Sequence, residues 1–513
     1  MANLTNLADE VREVKRALEL YRTGRISRRT FMSIAAATSA AAILAACGGT
    51  VATSTPPPAG ASQGTGGSTP EPSSGGGGTG RKTIPFYTTE NDPASLAFFA
   101  SAISGFIADH PDVDIPITLY QDENRYQYLS TAFQTGTDLG IFSPDTSLIR
   151  DWAAAGYLLP ITGMIQSIGV DELVDGSRVV YNGDDYVMPF QCNASALWYR
   201  KDLFQQNGLD APTTYDKYLA AAQALNGKNG IIGVATAVGS TPQLPLQFFT
   251  PYVHQSGWDY FSSDGTLTFD QPDVFEGVKR FLAILQTASQ NFWNGTFQDI
   301  LTAYIGGRAA MGTFPGRLGV NTANQAPDIA DVTDVVAVPA GPFMEGKLLF
   351  GAPSGYCIYK NTANPELATE FLKWITTGDN GLAFALTVPG HLVPPVKSNQ
   401  VKMSDPNNPL VKENPYMQKH GDWVAKLVAM VPGAMNPSLS MGSVNNHQYT
   451  KTLSNVVPWG SSIWGSPPLD GTLFQQILLN NQDPQAAWQD AAKAMGDAAT
   501  QWKSEHPDWK PSV

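Results

Sequence analysis

The sequence predicts an α/β protein of layered strands and helices, and two kinds of observation predict it. From Arg81 onward, strand and helix patterns alternate. The chain is also long enough, at 513 residues with 42% hydrophobic, to bury a large core in more than one domain. Ile84 and Phe86 begin a first short strand, and Ala94 to Ala108 reads as a helix. Val113, Ile115, Ile117 and Leu119 alternate as a second strand, followed by a helical stretch from Tyr126 to Phe133. Later helices have clear starts. Asn364-Pro365-Glu366 and Asp483-Pro484-Gln485 each set a capping side chain before a proline at the first helical position. In the first of these, Leu367, Phe371, Trp374 and Ile375 form a stripe expected to face the core. No internal repeat and no second long linker interrupts this part, so its domains are expected to be closely joined.

The segment before it differs in kind. Leu7, Val11, Val14, Leu18 and Tyr21 recur at helical spacing and Gly24 is a plausible stop, so a short amphipathic helix is expected there. The run Ser27-Arg28-Arg29-Thr30-Phe31-Met32 resembles a twin-arginine export signal. It leads into an uncharged, Ala-rich stretch too short to span a bilayer comfortably. That stretch ends in Leu44-Ala45-Ala46-Cys47 before two glycines, which resembles a bacterial lipobox. The resemblance implies cleavage ahead of Cys47 and lipid on its sulfur. Residues 48–82 are mostly Gly, Ser, Thr and Pro and hold too few apolar groups to offset the entropy of ordering, so a tether is expected.

Charge narrows the partners. The whole chain carries −13, and beyond residue 46 there remain 25 Lys and Arg against 41 Asp and Glu, or −16. So acidic a surface repels phosphate backbones and anionic headgroups, so no nucleic acid and no membrane contact beyond the N-terminal lipid is expected. Neutral and cationic solutes stay open. The three cysteines, at 47, 192 and 357, are too few for a disulfide framework and lack zinc-site spacing. Cys192 and Cys357 read as buried hydrophobes, with a bridge between them as the alternative. The six histidines, at 110, 254, 391, 420, 447 and 506, are isolated from one another. There is no Gly-x-Ser-x-Gly elbow, no His-Glu-x-x-His helix, no P-loop and no dinucleotide fingerprint. Neither an enzyme, a cofactor nor a metal site is expected.

Several separated blocks carry a family likeness. They are Ala132-Phe133-Gln134-Thr135-Gly136-Thr137-Asp138-Leu139, Asp151 to Pro160, Tyr186-Val187-Met188-Pro189, Leu197 to Phe204 with Asn207-Gly208-Leu209, Pro212 to Tyr215, and Gly306 to Met311. In this order, over about residues 83 to 500, the chain resembles the extracellular solute-binding proteins that feed ABC sugar importers. It departs from them at Thr137, where proline is usual, and at Arg200, where asparagine is common. The resemblance implies a two-lobed periplasmic-binding-protein-like fold of type II, with a ligand cleft between α/β lobes joined by a multi-strand hinge. It implies lobe 1 at 83–190 plus 355–397 and lobe 2 at 191–353 plus 398–513. The protein would then be an exported monomer on the outer face of the bacterial cytoplasmic membrane, with permease subunits as partners and a carbohydrate as its solute. The same fold could instead take a polyamine, a metal or another non-sugar solute, and a secreted polysaccharide-active enzyme is the remaining alternative.

Sugar sites combine aromatic faces with hydrogen-bonding side chains. Trp459 and Trp464 lie in the Pro/Gly/Ser-rich stretch Val457 to Pro468, where two readings stand: a ring facing ligand, or loop packing. Glu90 and Asn91 follow the first strand, where ligands of α/β sheets collect. Asp145 follows the strand ending at Phe142. The resemblance adds Asn193 near the hinge and the loop holding Phe314 and Arg317. Gln247 completes the set. Arg317 would suit an acidic or phosphorylated sugar, or would pair with a nearby Asp.

Overall fold

The computed structural model describes Arg16, Ala17, Leu20, Thr50, Val51 and residues 81–510, apart from 121–123, 145–147, 175, 240–242, 352, 438–442, 451–456 and 466. The expected export and anchoring residues Arg28, Arg29 and Cys47, and the expected ligand residue Asp145, lie outside the described residues. Arg16, Ala17 and Leu20 are helical, within the stretch expected to form the leading helix. Thr50 and Val51 pair in parallel with Thr118 and Leu119, a short strand inside the segment expected to be a tether.

In chain order, the elements that matter below are β1 (Phe86–Thr88), α1 (Pro93–Asp109), β2 (Ile117–Leu119), α2 (Arg125–Thr135), β3 (Ile141–Phe142), α3 (Ile149–Ala154), β4 (Met188–Cys192), β5 (Ala196–Arg200), β6 (Ile232–Ala235), α4 (Gln243–His254), β7 (Ala309–Phe314), α5 (Arg317–Gln325), β8 (Thr333–Ala337), β9 (Pro353–Ile358), α6 (Pro365–Thr376), α7 (Leu469–Asn480) and α8 (Pro484–Glu505). The second expected strand is split, with Val113–Asp114 pairing separately from β2. Pro116 stands in the gap and has no amide to give a ladder.

The chain forms two compact units: residues 1–144, 156–160 and 356–375, and residues 145–155, 161–355 and 376–513. In unit 1, β1 lies between β2 and β3 with all three parallel, and β9 runs antiparallel to β3 with Cys357 opposite Phe142. Phe86 is buried under Phe99, Tyr356 and Phe371, whose ring centroids lie 5.1, 5.0 and 6.0 Å away. Thus α1 and α6 cover the same strand, as the period-2 and period-3.6 patterns require. One stripe residue departs from expectation. Phe371 and Ile375 are fully buried, but Trp374 is 38% exposed and its indole N–H donates to the carbonyl of Ala102 at 3.2 Å. The polar edge of the indole takes the nearest acceptor while part of the ring stays in water.

Unit 2 is built on a four-stranded sheet ordered β6-β7-β5-β8. β6 and β7 are parallel, and β5 is antiparallel to both its neighbours. Trp198 is fully buried, and its indole N–H donates to the carbonyl of Phe314 at 2.9 Å. A Cβ on Gly319 would sit 2.3 Å from that indole, so glycine is what admits the ring. Asp483 caps α8 as its sequence indicates, accepting the amides of Gln485 and Ala486 at 3.0 Å.

The units differ from the expected lobes at three segments, 145–155, 161–190 and 376–397, all of which fall in unit 2. Hydrogen bonds tie 161–190 and the end of β4 to 376–397. The amide of Val174 donates to Pro395 and that of Cys192 to Val393, each at 2.8 Å. Gly390 in turn lies against Leu427 and Val424 of the helix Pro415–Met430. Cys192 and Cys357 are buried with free thiols.

Candidate functional site

In open α/β sheets, ligands gather beyond the carboxyl ends of the strands, where side chains and free amides project without strand partners. In unit 1 that edge follows Thr88 of β1, Leu119 of β2 and Phe142 of β3. The antiparallel β9 brings Tyr356 to the same edge. The Thr88 hydroxyl lies 2.8 Å from that of Tyr356 and accepts the amide of Glu90 at 3.0 Å. Tyr120 donates its hydroxyl to the carbonyl of Ser143 and stacks on Tyr128, with centroids 5.5 Å apart. Glu90 is buried here, whereas Asn91 is exposed. Burial, and next the charge of Glu90, push the Tyr356 hydroxyl well above its ordinary range, so it stays protonated and able to donate.

In unit 2 the corresponding edge joins the carboxyl ends of β6, β7 and β8 to the amino end of β5, because Ala196 pairs with both Phe314 and Ala337. Asn193 and Ser195 precede β5 and are buried. The Ser195 hydroxyl donates to the carbonyl of Gln247 at 3.2 Å, which ties α4 to this edge. Val234 pairs with Met311, so Thr236 and Thr313, two residues further along their parallel strands, fall on one face. The hydroxyls of Thr236 and Thr313, Nε2 of Gln247 and Nδ1 of His391 are all buried without a hydrogen-bond partner. Such atoms each cost about 1–3 kcal/mol. These four belong to residues on or beside this strand edge, where a bound partner would satisfy them.

Phe314 is buried at the end of β7, edge-to-face with Phe297 at 5.8 Å. Arg317 opens α5 and is half-buried. The turn between them is fixed by close approach, since a Cβ on Gly316 would lie 2.2 Å from the carbonyl carbon of Gly390. Gly390 itself has φ +80°, a left-handed conformation that favours glycine. This contact carries His391 toward Arg317. Burial, and after it the Arg317 charge, drive the His391 pKa well below its ordinary range, so the imidazole is neutral.

Trp459 and Trp464, for which the sequence left a ligand-facing ring and loop packing both open, pack in the core of unit 2. Both are fully buried. Trp459 has Lys503 Nζ 4.9 Å from its centroid and Phe261 at its edge, and Trp464 meets Tyr260 edge-to-face at 5.4 Å. Their surroundings come from residues far away in sequence, which outweighs the loop-like composition around them. Thus, of the residues expected from sequence, Glu90 and Asn91 sit at the edge of unit 1, and Asn193, Gln247, Phe314 and Arg317 at that of unit 2. The same edges also hold Tyr120 and Tyr356 in unit 1 and Ser195, Thr236, Thr313 and His391 in unit 2, which the sequence did not single out. Tyr120, directly after a strand, carried a readable signal, whereas a single Thr in a strand or a lone His carries little.

Residues 88–381, more than half of the chain, match the family described as bacterial extracellular solute-binding protein. The chain belongs to that family. Among its relatives are a binding protein of Brucella abortus, 23% identical over 430 residues covering 82% of this chain and 92% of that one, and the arabinooligosaccharide-binding protein of Halalkalibacterium halodurans, 24% identical over 401 residues covering 73% and 83%. Maltose-bound T. maritima MalE3 is similar in fold, with a TM-score of 0.65 and 18% identity over 81% of this chain and 99% of that one. The fold is the two-lobed type II solute-binding fold. No helix among the described residues is long and apolar enough to cross a membrane.

Proposed function

We propose that the protein captures a sugar or oligosaccharide and delivers it to the permease of an ABC importer, without turning it over. The observation that carries this reading is the set of buried, partnerless polar atoms at the carboxyl edge of unit 2: the hydroxyls of Thr236 and Thr313, the amide nitrogen of Gln247 and Nδ1 of His391. A hydroxyl or a neutral imidazole both donates and accepts, which suits the hydroxyls of a sugar better than a fixed charge would. Relatives named for arabinooligosaccharide, mannitol and lactose binding support the same class of solute.

Export and anchoring complete the proposal. Arg28 and Arg29 direct export, and lipid on Cys47 holds the mature chain at the outer face of the cytoplasmic membrane. A lipid on Cys47 keeps the folded part near its permease, raising the effective concentration.

The test is to purify the protein, identify retained small molecules by mass spectrometry, and then follow melting against sugars, polyamines and metal ions. A ligand that binds only the folded state raises the melting temperature. A rise with a saccharide and no new product is the expected result. A rise only with a polyamine or a metal overturns the sugar assignment, and product formed from a glycan overturns the binding role. Anchoring is tested by mass: Cys47→Ser leaves the exported chain unlipidated and released from membranes.

A further inference from the structure

Helix α4 meets the strand edge of unit 2 at Gln247, whose carbonyl accepts the Ser195 hydroxyl. Just past the other end of α4 stands Gln255, which is fully buried and whose side chain makes five hydrogen bonds to a single loop. Its Nε2 donates to the carbonyls of Val338 at 3.0 Å and Leu348 at 2.8 Å, the two ends of that loop. Its Oε1 accepts the amides of Ala340 at 2.7 Å and of Gly341 and Gly346, each at 3.1 Å. Its backbone carbonyl takes the amide of Phe343 at 3.0 Å, and a Cβ on Gly341 would lie 2.6 Å from that oxygen. Both donors and the full acceptor capacity of the side-chain amide are therefore spent on this loop.

The loop leaves and rejoins the structure at the strand edge. It departs from β8 at Ala337, the register partner of Ala196. It returns at Leu349 and Phe350, which pair with Ala434 and Met435. There the carbonyl of Phe350 accepts the amide of Ser195 at 2.7 Å, and a Cβ on Gly351 would lie 2.5 Å from the carbonyl oxygen of Asn193. We infer that Gln255 is a positioning residue for solute binding: by joining Val338 to Leu348 it closes the neck of the loop, and through Phe350 it sets the backbone of 193–195 at the edge where the solute is held. This rests on the saccharide reading of that edge and adds a residue that acts through the loop rather than by contact. The place requires an amide. Glutamate keeps an acceptor for the three backbone amides but gives up at least one of the two donors, and methionine leaves all five buried backbone groups without the side-chain partner.

The experiment compares the whole protein as wild type, Gln255→Met and Gln255→Glu, well below the melting temperature of each. Amide hydrogen exchange is followed by mass, and maltose, mannitol and lactose are titrated by calorimetry, with affinity expressed per folded molecule. In Gln255→Met the Ser195 amide should exchange about tenfold or more faster while the amides of β6 keep their wild-type rates, and affinity for the saccharide that the wild type binds should fall about tenfold. Gln255→Glu should lose less of both. A residue that only stabilises the fold would lower the melting temperature and leave affinity per folded molecule unchanged, and that result overturns the inference. Lost affinity with unchanged exchange at Ser195 overturns the path through Phe350. Where Gln255→Met does not fold, Gln255→Glu decides by the same two readouts, and failure of both to fold makes Gln255 a structural residue and overturns the inference. A wild type that binds none of the three sugars overturns the saccharide reading instead, and exchange at Ser195, which needs no solute, still decides whether Gln255 sets this edge.

Discussion

Asp470 is the sharpest test of how well the interior of unit 2 is understood. It follows Leu469 at the start of α7, is fully buried, and accepts the amide of Gly471 at 2.8 Å. Tyr260 lies alongside, itself 3.5 Å from the hydroxyl of Thr250. Burial pushes the carboxyl up to about 7, against hydrogen bonds from the Gly471 amide, the Asp470 amide and Tyr260 that lower it. A carboxyl that holds its proton more tightly folded than unfolded favours the fold at low pH, and stability falls as pH climbs from about 4 to about 7. Moving from an ordinary 3.8 to about 7 corresponds to about 4 kcal/mol of cost above neutrality. Asp470→Asn keeps an acceptor for Gly471 and can donate to Tyr260, but it never ionises. Its expected effect is a gain of about 2–4 kcal/mol at about pH 8, shrinking to near zero at about pH 4, read as melting temperatures across that range. A gain of equal size at both ends, or a loss at the alkaline end, refutes the reasoning.

Three further outcomes follow from the same coordinates. Thr313→Val removes a buried hydroxyl that has no protein partner, so the fold should hold or gain stability while saccharide affinity drops about 2- to 10-fold, measured by melting and titration of one sample. Trp459→Ala should cost about 3–5 kcal/mol in denaturant titration while leaving solute affinity per folded molecule unchanged; small loss of stability with lost binding would return it to the ligand site. Burial pushes the Cys192 thiol up to about 12 and that of Cys357 higher still. Both should therefore resist a thiol reagent in the native protein at about pH 8 and react once it is unfolded, counted by mass.

The layered α/β plan was readable because its signals are local: alternation in β1 and β2, proline at the first turn of α6 and α8, and the cap at Asp483 all act within a few residues. The fate of Trp459 and Trp464 was not, because the Pro, Gly and Ser around them describe only the immediate backbone. Their burial depends on Tyr260, Phe261 and Lys503, up to some 200 residues away in sequence. A short helix, Gly460–Trp464, sits within that loop-like stretch and turns both rings inward.

The site shows the same division between local and distant causes. Glu90 and Asn91 could be placed at an edge from the strand before them, but whether such a residue is buried is decided by the neighbouring strands. His391 is the clearest instance. Read alone it is one of six scattered histidines, and what gives it meaning is the contact of Gly390 with Gly316, which only the folded chain creates. That contact sets a neutral imidazole beside Arg317. It also bears on what Arg317 can do: burial disfavours any charge beside the His391 ring, while the Arg317 guanidinium, whose charge helps to lower the His391 pKa, favours an anion. A neutral hydroxyl pays no such penalty at His391, whose Nδ1 is left for a partner. A titration comparing a sugar with its uronic acid reads directly which of the two effects prevails.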